Sequence, residues 1–356
     1  MTLRTALLAG FTLLFSSALA QRTPVELADA LQRAARAGNA AAYRALLVPG
    51  GTFTVEGANF AADLARWTPR DVTYALGDLH EQGTRADAQL TLAWTAPTGQ
   101  KSHVTLPVRL ERTGDAWRYA GEAFEPLNTP AGTLLALRVP GLPERAAPLA
   151  PLLARAARQV RNVLGLDVPT NAVVKIYATR AQLSASVALS LPAVAGWYEP
   201  GEAIKLALPP GDSSALEQET LRVLTHEFTH MAVGMAAGAD RDKRIPWWLH
   251  EGLAEFTAWH GNLSVRRARI TGYARSGWVP LTELKNFPSV PLEHWGNAYN
   301  QGLGVVEFLA DRDRKHPWQL ARAFAETDDA DAAALATGFA SFAALEEAAR
   351  AWLAAR

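Results

Sequence analysis

The apolar residues near the start of the chain recur at helical spacing. Leu27, Leu31, Ala34 and Ala35 fall on one face of a helix, and the same spacing resumes after Gly38. Because glycine weakens a helix and tolerates turn conformations, we expect a break at this position. The pattern therefore predicts two short amphipathic helices.

Strict alternation of apolar and polar residues follows the two helices. It covers residues 90–94, 104–110 and 117–119, and residues 113–115 offer a turn before the last of these segments. A period of two is typical of strands that bury one face. We therefore predict an antiparallel sheet with one face packed and one exposed to solvent.

This order of elements resembles the cone-shaped fold of nuclear-transport-factor and ketosteroid-isomerase relatives over residues 21–128. The resemblance implies a smaller α+β domain that could enclose a small ligand. The sequence shows no convergent set of acids or histidines within it, and Asp63, His80 and His103 are predicted to be solvated. A structural or partner-binding role is therefore favoured for this segment.

Two prolines and a glycine in residues 125–133 mark a predicted domain boundary, so that a second domain covers residues 129–356. Strand and helix patterns are mixed within it, which predicts the α+β class for the whole chain. The pattern predicts these elements: a strand over residues 134–139, a helix from Pro148, a strand over Val173–Tyr177, a hairpin over residues 196–208, a long helix ending at Gly234 or Gly238, and an alanine-rich C-terminal helix.

Composition narrows the classes of partner and ligand. The 356 residues include 35 Lys plus Arg and 35 Asp plus Glu, so the formal net charge is zero. This balance gives no support for a nucleic-acid partner or for an anionic membrane surface. The chain has no cysteine, so a metal site would have to use histidine, aspartate and glutamate.

The first twenty residues have the pattern of a secretory signal. Arg4 supplies the positive start, an apolar run follows, and small residues at Ala18 and Ala20 suit a cleavage site. An uncleaved anchor is the alternative, but the apolar run is short for a bilayer span. We therefore expect an exported, periplasmic or extracellular chain that begins near Gln21 and has no stable membrane span.

The stretch "HEFTH" places two histidines four residues apart. On a helix His226 and His230 lie on one face and could bind one metal ion, while Glu227 projects beside them. A chance match of five letters is the alternative interpretation. A catalytic zinc site needs a third protein ligand and leaves one position for water.

The stretch "PWWLHEGLAEF" offers that third ligand. Pro246 suits the first turn of a second helix, and a helix packed antiparallel to the first would bring Glu251 back to the histidines. Glu255 lies one turn later on the same face. Because metal-binding histidines usually donate their other N–H to a carboxylate, Glu255 is predicted to support His226.

Together, "HEFTH" and "WWLHEGLAEF" resemble the motifs of gluzincin metallopeptidases, the thermolysin-like class, and most closely those of bacterial peptidase-MA-like families. The resemblance covers about residues 132–356 and implies a zincin-like domain with one Zn²⁺ per chain. It implies that His226, His230 and Glu251 bind zinc and that Glu227 activates water. The chain lacks a Gly-x-Met-Glu-Asn stretch, so the resemblance does not extend to aminopeptidase specificity.

The resemblance also suggests a donor for the oxyanion. Tyr299 resembles the tyrosine that follows the zinc helices in gluzincins, although a packing role is an equal alternative, and Tyr273 and His294 are rivals. His250 is not expected to be a ligand, because adjacent helical residues point about 100° apart.

Gluzincins resemble one another in laying an extended peptide along a sheet-edge strand, and residues 204–208 could serve as that strand, with a plain structural hairpin as the alternative. Trp247 and Trp248 could line the cleft, with burial at the start of the helix as the alternative.

Two functions of different classes are compatible with these motifs. The first is an exported zinc-dependent peptidase that acts on a peptide or protein substrate. The second is a catalytically silent scaffold or binding module whose N-terminal domain recruits a partner. In the second case Glu227 would be dispensable. The oligomeric state has no signature in the sequence.

Overall fold

A computed structural model describes residues 21–50, 53–127, 135–138, 149–170, 172–201, 203–208 and 214–356. The predicted secretion signal and most of the predicted boundary segment lie outside these residues, so both stay predictions. In the described part, two sheets are combined with helices before, between and after them, which confirms the mixed α+β class. No helix in this part is both long and apolar enough to cross a bilayer.

Three helices open the part of the chain that the structure describes: α1 (Pro24–Arg36), α2 (Ala40–Ala45) and α3 (Phe53–Arg66). The first two confirm the prediction, and Gly38 adopts φ +60° between them. Helix α3 was not predicted, because β-branched residues and Gly57 near its start weaken the local helical signal. It is stabilised instead by burying Phe60, Ala61 and Leu64.

The first sheet is an antiparallel meander of four strands: β1 (Thr73–Gln82), β2 (Arg85–Thr95), β3 (Lys101–Thr113) and β4 (Ala116–Glu122). The predicted alternation is confirmed, since Leu90 pairs with Leu106 on the buried face. Gly114 adopts φ +62° in the predicted turn. His80 and His103 are exposed, as expected.

The second sheet has five strands: β5 (Glu125–Pro126), β6 (Leu135–Arg138), β7 (Val173–Tyr177), β8 (Gly196–Glu199) and β9 (Ala203–Ala207). Their order is β5-β6-β7-β9-β8, in which β6, β7 and β9 are parallel and β8 is antiparallel to β9. Two further helices are α4 (Leu149–Leu164) and α5 (Arg180–Val187).

The prediction that residues 204–208 form an accessible sheet edge is wrong. Strand β9 lies between β7 and β8 and is buried along its whole length. The alternation of Ile204 and Leu206 suggested one exposed face, but the intervening Lys205 is buried as well. The edge belongs to β8.

From residue 214 onward the chain forms α-helices joined by loops: α6 (Ser214–Ala237), α7 (Ala239–Asp242), α8 (Trp247–Ala258), α9 (Ser264–Arg275), α10 (Trp295–Arg312), α11 (His316–Thr327), α12 (Ala330–Leu335) and α13 (Phe342–Ala354). Helix α6 ends before Gly238, at φ +89°, one of the two predicted ends. The alanine-rich tail forms two helices and not one, because Gly338 turns the chain at φ +84° and Ser341 caps α13.

Charged residues join the first sheet and its helices to the second sheet. Glu56 of α3 is 1% exposed and contacts Lys175 Nζ of β7 at 2.5 Å, and Lys205 Nζ of β9 also contacts its carboxylate. Burial, followed by the charge of Glu56, raises the pKa of nearby Glu122 to about 7. The expectation that no acids converge in the N-terminal segment is therefore wrong.

Asp63 is also buried, against the expectation that it is solvated. Its Oδ1 accepts hydrogen bonds from Arg66 Nη2 at 2.7 Å and from Ser190 Oγ at 2.5 Å. Both contacts satisfy a carboxylate that would be costly to bury alone. Ser190 lies 127 positions away in sequence, so the sequence pattern around Asp63 carried no sign of this partner.

Helices α8 and α10 approach each other through a pair of glycines. A Cβ atom on Gly252 would lie 2.5 Å from the carbonyl carbon and oxygen of Gly302, and one on Gly302 would overlap the carbonyl of Trp248. Backbone atoms cannot move aside as a flexible side chain can. The two glycines therefore fix how close α10 lies to α8.

We expect Gly302→Ala to lower the free energy of unfolding by about 1–3 kcal/mol, because the added methyl group overpacks this crossing. The matched control is Gly272→Ala in α9, where an added Cβ meets no atom within 4 Å. That variant should be as stable as the wild type or up to about 1 kcal/mol more stable. Urea unfolding of all three proteins measures the difference, and equal stability of Gly302→Ala would contradict the tight crossing.

Candidate metal centre

Helix α6 carries two histidines one turn apart on a buried face. The Nε2 atoms of His226 and His230 are 3.1 Å apart, and their ring centroids are 4.8 Å apart. The apolar residues that bury this part of the helix are Val223, Leu224, Phe228, Met231 and Val233. Both imidazoles therefore point to the same location from a rigid element.

Glu251 reaches the same location from α8. Its Oε2 lies 3.2 Å from His226 Nε2 and 3.7 Å from His230 Nε2. Trp247 Nε1 donates a hydrogen bond of 2.7 Å to the other oxygen, Oε1. Oε2 itself is buried and has no hydrogen-bond partner. One oxygen is thus held by the protein while the other is directed at the two histidines.

These three atoms fit a metal ion. Ligands about 2.0–2.1 Å from a tetrahedral zinc ion lie about 3.3 Å from one another, and the three observed separations are 3.1, 3.2 and 3.7 Å. Acceptor lone pairs this close repel one another unless a cation or a proton lies between them. Among the described residues, His226, His230 and Glu251 are the group of three that could hold a metal.

The pKa values of the ligand set show the same need for positive charge. Burial alone would lower the pKa of His226, but the carboxylates of Glu251 and Glu255 beside its ring nitrogens raise it to about 10. Burial would raise the pKa of Glu251, yet the two histidines hold it well below its usual range. A proton can therefore occupy the place of a metal, and metal binding would displace it.

Glu255 lies behind His226, as its spacing predicted. Its Oε1 is 3.1 Å from His226 Nδ1, and its Oε2 accepts hydrogen bonds of 2.9 Å from both Trp259 Nε1 and Arg266 Nη2. Burial opposes ionisation, but the hydrogen bond from His226 and then the charges of His226 and Arg266 lower the pKa of Glu255. A charged Glu255 can fix the orientation of the imidazole.

The cations around Glu255 had no recognisable signal in the sequence. Arg222 Nη1 of α6 lies 3.6 Å from Glu255 Oε1, and Arg266 comes from α9. Both guanidinium groups also lie over the ring of Trp259, at 5.4 and 5.3 Å from its centroid. Their contribution depends on the packing of three helices and not on a local motif.

Glu227 lies in the same cleft, which has a volume of about 720 Å³. Burial raises the pKa of Glu227 to about 7, with His226 opposing and Glu251 adding to the shift. Gly196 of β8 lies directly above it. A Cβ atom there would lie 2.6 Å from Val223 Cγ1 and 2.8 Å from Glu227 Cγ, and would overlap the Glu227 carboxylate. Because glycine has no side chain, position 196 leaves room for the Glu227 carboxylate.

Tyr299 of α10 is the tyrosine that the structure brings into the cleft. Its ring stacks on His226 with centroids 6.0 Å apart and meets Trp247 edge-on at 6.0 Å. Burial, followed by the charges of Glu251 and Glu227, raises the pKa of Tyr299 well above its usual value. The phenol therefore stays protonated and can donate. Neither rival, Tyr273 nor His294, is among the residues lining the cleft.

Three further residues had an expected location. His250 lines the cleft but is outside the ligand group, and its Nε2 lies 3.0 Å from Asp242 Oδ1. Trp247 lines the cleft, whereas Trp248 is 1% exposed and packs against Phe342. Of the two alternatives that the sequence left open, Trp247 therefore lines the cleft and Trp248 is buried in the core.

Comparison with solved structures finds zinc metallopeptidases as distant neighbours. An M1 zinc metallopeptidase from Deinococcus radiodurans has 17% sequence identity and a TM-score of 0.41, and the match covers 80% of this chain and 62% of that one. A mutant of an M1 zinc metallopeptidase from the same organism has 16% sequence identity and a TM-score of 0.41, and the match covers the same fractions of the two chains. A two-domain M1 zinc metallopeptidase mutant bound to L-arginine has 16% sequence identity and a TM-score of 0.40, and the match covers 80% of this chain and 61% of that one.

This chain thus spans less than two thirds of the length of these neighbours. No protein-family model and no curated protein sequence matches it. Because the likeness is this distant, the residues of the cleft and not the neighbours have to carry a functional assignment.

We expect the wild-type protein to bind one zinc ion per chain, and Glu251→Ala to lose it, because two histidines alone are a weak zinc site. Glu255→Ala should weaken zinc binding about ten- to a hundred-fold, since it frees the imidazole of His226. Elemental analysis after dialysis and competition with a chelating indicator measure both effects. Glu283→Ala, at an exposed position, is the control. If Glu251→Ala bound zinc with wild-type affinity, Glu251 would be excluded as a ligand.

Proposed function

We propose that this protein is a zinc-dependent peptidase. The observation that carries the proposal is that ligand atoms of His226, His230 and Glu251 converge in an open cleft that also contains Glu227. Three protein ligands leave a coordination position for water or substrate, which is the arrangement of catalytic and not of structural zinc sites. Two histidines and a glutamate are also a known hydrolytic ligand set.

The side chains of the cleft suit hydrolysis of a peptide bond. Zinc in such a site lowers the pKa of water and polarises a carbonyl group. Glu227, which lines the same cleft as the ligand atoms, would accept a proton from the attacking water and then deliver it to the departing nitrogen. Tyr299 would donate a hydrogen bond to the oxyanion.

Strand β8 is suited to hold the substrate. Ala207 N of β9 donates a hydrogen bond of 2.9 Å to the carbonyl oxygen of Ala195, the residue that precedes β8. Because hydrogen-bonded pairs alternate in an antiparallel ladder, the backbone groups of Gly196 and Tyr198 point away from β9, towards the open edge. An extended peptide could pair with this edge as an added strand. Its backbone would then run past Glu227.

The silent-scaffold hypothesis predicts a different cleft. A structural zinc site is closed by four protein ligands, and a scaffold has no need of room beside Glu227.

We further propose export to the periplasm or the extracellular space, which is supported by the signal-like pattern of residues 1–20. N-terminal sequencing of the protein recovered from outside the cytoplasm tests this proposal.

Glu227→Gln tests the proposed function directly. We expect it to retain zinc and to lose roughly two to four orders of magnitude in the rate of hydrolysis, because an amide cannot accept the proton. The measurement uses the zinc-loaded protein and a mixture of end-blocked, fluorescence-quenched peptides. Glu217→Gln, on the exposed face of the same helix, is the control. Undiminished turnover by Glu227→Gln would refute the mechanism.

Tyr299→Phe tests the oxyanion donor. We expect kcat to fall roughly a hundred- to a thousand-fold with little change in KM, because the donor acts on charge that develops in the transition state. The phenyl ring keeps the stacking on His226, so zinc content should not change. Tyr273→Phe is the matched control outside the cleft. An unchanged kcat in Tyr299→Phe would mean that Tyr299 only packs.

A further inference from the structure

A second groove, with a volume of about 810 Å³, lies beside the metal cleft. One wall comes from the N-terminal part of the chain, with Ala62 of α3 and Pro97 in the β2–β3 connection. The other wall comes from the peptidase part, with Ala193 and Leu292. Leu292 is 50% exposed. This groove has no role in the chemistry assigned to the metal cleft.

The second groove is continuous with the metal cleft. Residues common to the linings of both are Trp197, Pro200, Phe287, Pro288 and Trp295. Phe287 packs against Trp197 with centroids 5.9 Å apart and against Trp295 at 4.9 Å. An aromatic wall therefore runs from one cavity into the other, and a ligand that fills the cleft can extend along it.

Hydrogen bonds across its floor hold the groove open. Trp94 Nε1 of β2 donates to Leu189 O at 2.9 Å, and Asp63 of α3 accepts from Ser190. Ser184 Oγ donates to Pro192 O and accepts from Val194 N, both at 3.0 Å. The bonds of Trp94 and Asp63 thus join the two walls, so the groove is preformed and a ligand need not order it.

The lining favours a neutral, apolar occupant. Its charged residues are Asp63 and Arg66, which form an ion pair at 2.7 Å and cancel each other. By contrast, the metal cleft is lined by several acids and bases. An anionic or cationic ligand would find no countercharge in the groove, whereas leucine, methionine or phenylalanine side chains would bury apolar surface there.

The geometry of β8 connects this groove to a peptide. Successive side chains of a strand point to opposite faces. Gly196 faces Glu227 and the metal cleft, while Trp197 packs on Phe287 in the shared wall. A peptide paired with β8 has the same alternation, so its side chains would point in turn towards the metal cleft and towards the groove.

We propose that the groove binds apolar side chains of an extended polypeptide substrate, at positions beyond the bond that is cleaved. This inference rests on the proposed peptidase function and specifies its substrate class: unfolded segments rich in apolar residues, and not short or strongly charged peptides. The N-terminal part of the chain then contributes one wall of the substrate site.

The experiment uses the zinc-loaded full chain and a random mixture of end-blocked peptides of about twelve residues, which span roughly 40 Å when extended. Mass spectrometry of the products gives the residue preference at each distance from the cleaved bond. We expect enrichment of leucine, methionine or phenylalanine at one or more positions removed from that bond. Replacing such a residue by alanine should lower kcat/KM roughly ten- to a hundred-fold, as for one buried apolar side chain.

Two groove variants should lose this preference, one from each wall. Leu292→Asp puts a charge into the groove, and Ala62→Trp fills it. Their controls are Leu335→Asp, at a leucine that is 62% exposed and outside the groove, and Ala41→Trp on the exposed face of α2. The groove variants should cleave the leucine and alanine versions within about twofold of each other, while the controls keep the preference.

The outcomes separate this inference from the proposed function. Cleavage without any distal apolar preference, or an unchanged preference in both groove variants, would overturn the groove and leave the peptidase intact. If the wild type cleaves no peptide, the peptidase proposal fails. The groove is then tested by the anisotropy of a fluorescein-labelled, leucine-rich peptide: weaker binding by Leu292→Asp than by Leu335→Asp supports it, and equal binding overturns it.

Discussion

The mutual repulsion of three acceptor atoms is the constraint on which the architecture around the cleft depends. His226, His230 and Glu251 place their lone pairs within 3.7 Å of one another, an arrangement that a protein tolerates only where a cation is expected and where the backbone is held firmly. The two helices that carry them are held from behind. Glu255 fixes His226 and is itself compensated by Arg266 and Arg222, and the glycine crossing sets α10 against α8 so that the Tyr299 ring lies on His226.

The same rule of compensation operates at a distance from the metal centre. Glu56 is buried between the first sheet and the second, and it is neutralised by Lys175 and Lys205, which are paired in register on neighbouring parallel strands. Removing either lysine would upset the balance of buried charge around Glu56, which costs more than the loss of a surface ion pair. This cluster and the contact of Asp63 with Ser190 couple the N-terminal helices to the sheet that carries β8. The apolar core is likewise continuous from Leu27 to Ala232.

Local periodicity predicted those parts of the fold and of the centre that depend on near neighbours. Two histidines four apart must share a helix face, and Glu255 must follow Glu251 on its own face, so these positions could be read from spacing alone. Helix α3, the burial of Asp63 and the interior location of β9 could not, because each depends on a partner distant in the sequence: the sheet that covers Phe60, the hydroxyl of Ser190, and the carboxylate that makes buried Lys205 tolerable. Alternation identifies which residues share a face of a strand, but it does not identify the neighbouring strands.

Strand β8, and not β9, forms the sheet edge beside the cleft. Strand β8 is the element whose backbone faces the open edge, whose Gly196 leaves room for the Glu227 carboxylate, and whose Trp197 belongs to the wall shared with the second groove. The four residues of β8 are therefore suited to pair with the substrate, to leave room for the general base and to contact distal side chains. A substrate that pairs well with β8 is aligned with Glu227 at the same time, so binding energy gained far from the cleaved bond can be used to position the bond itself.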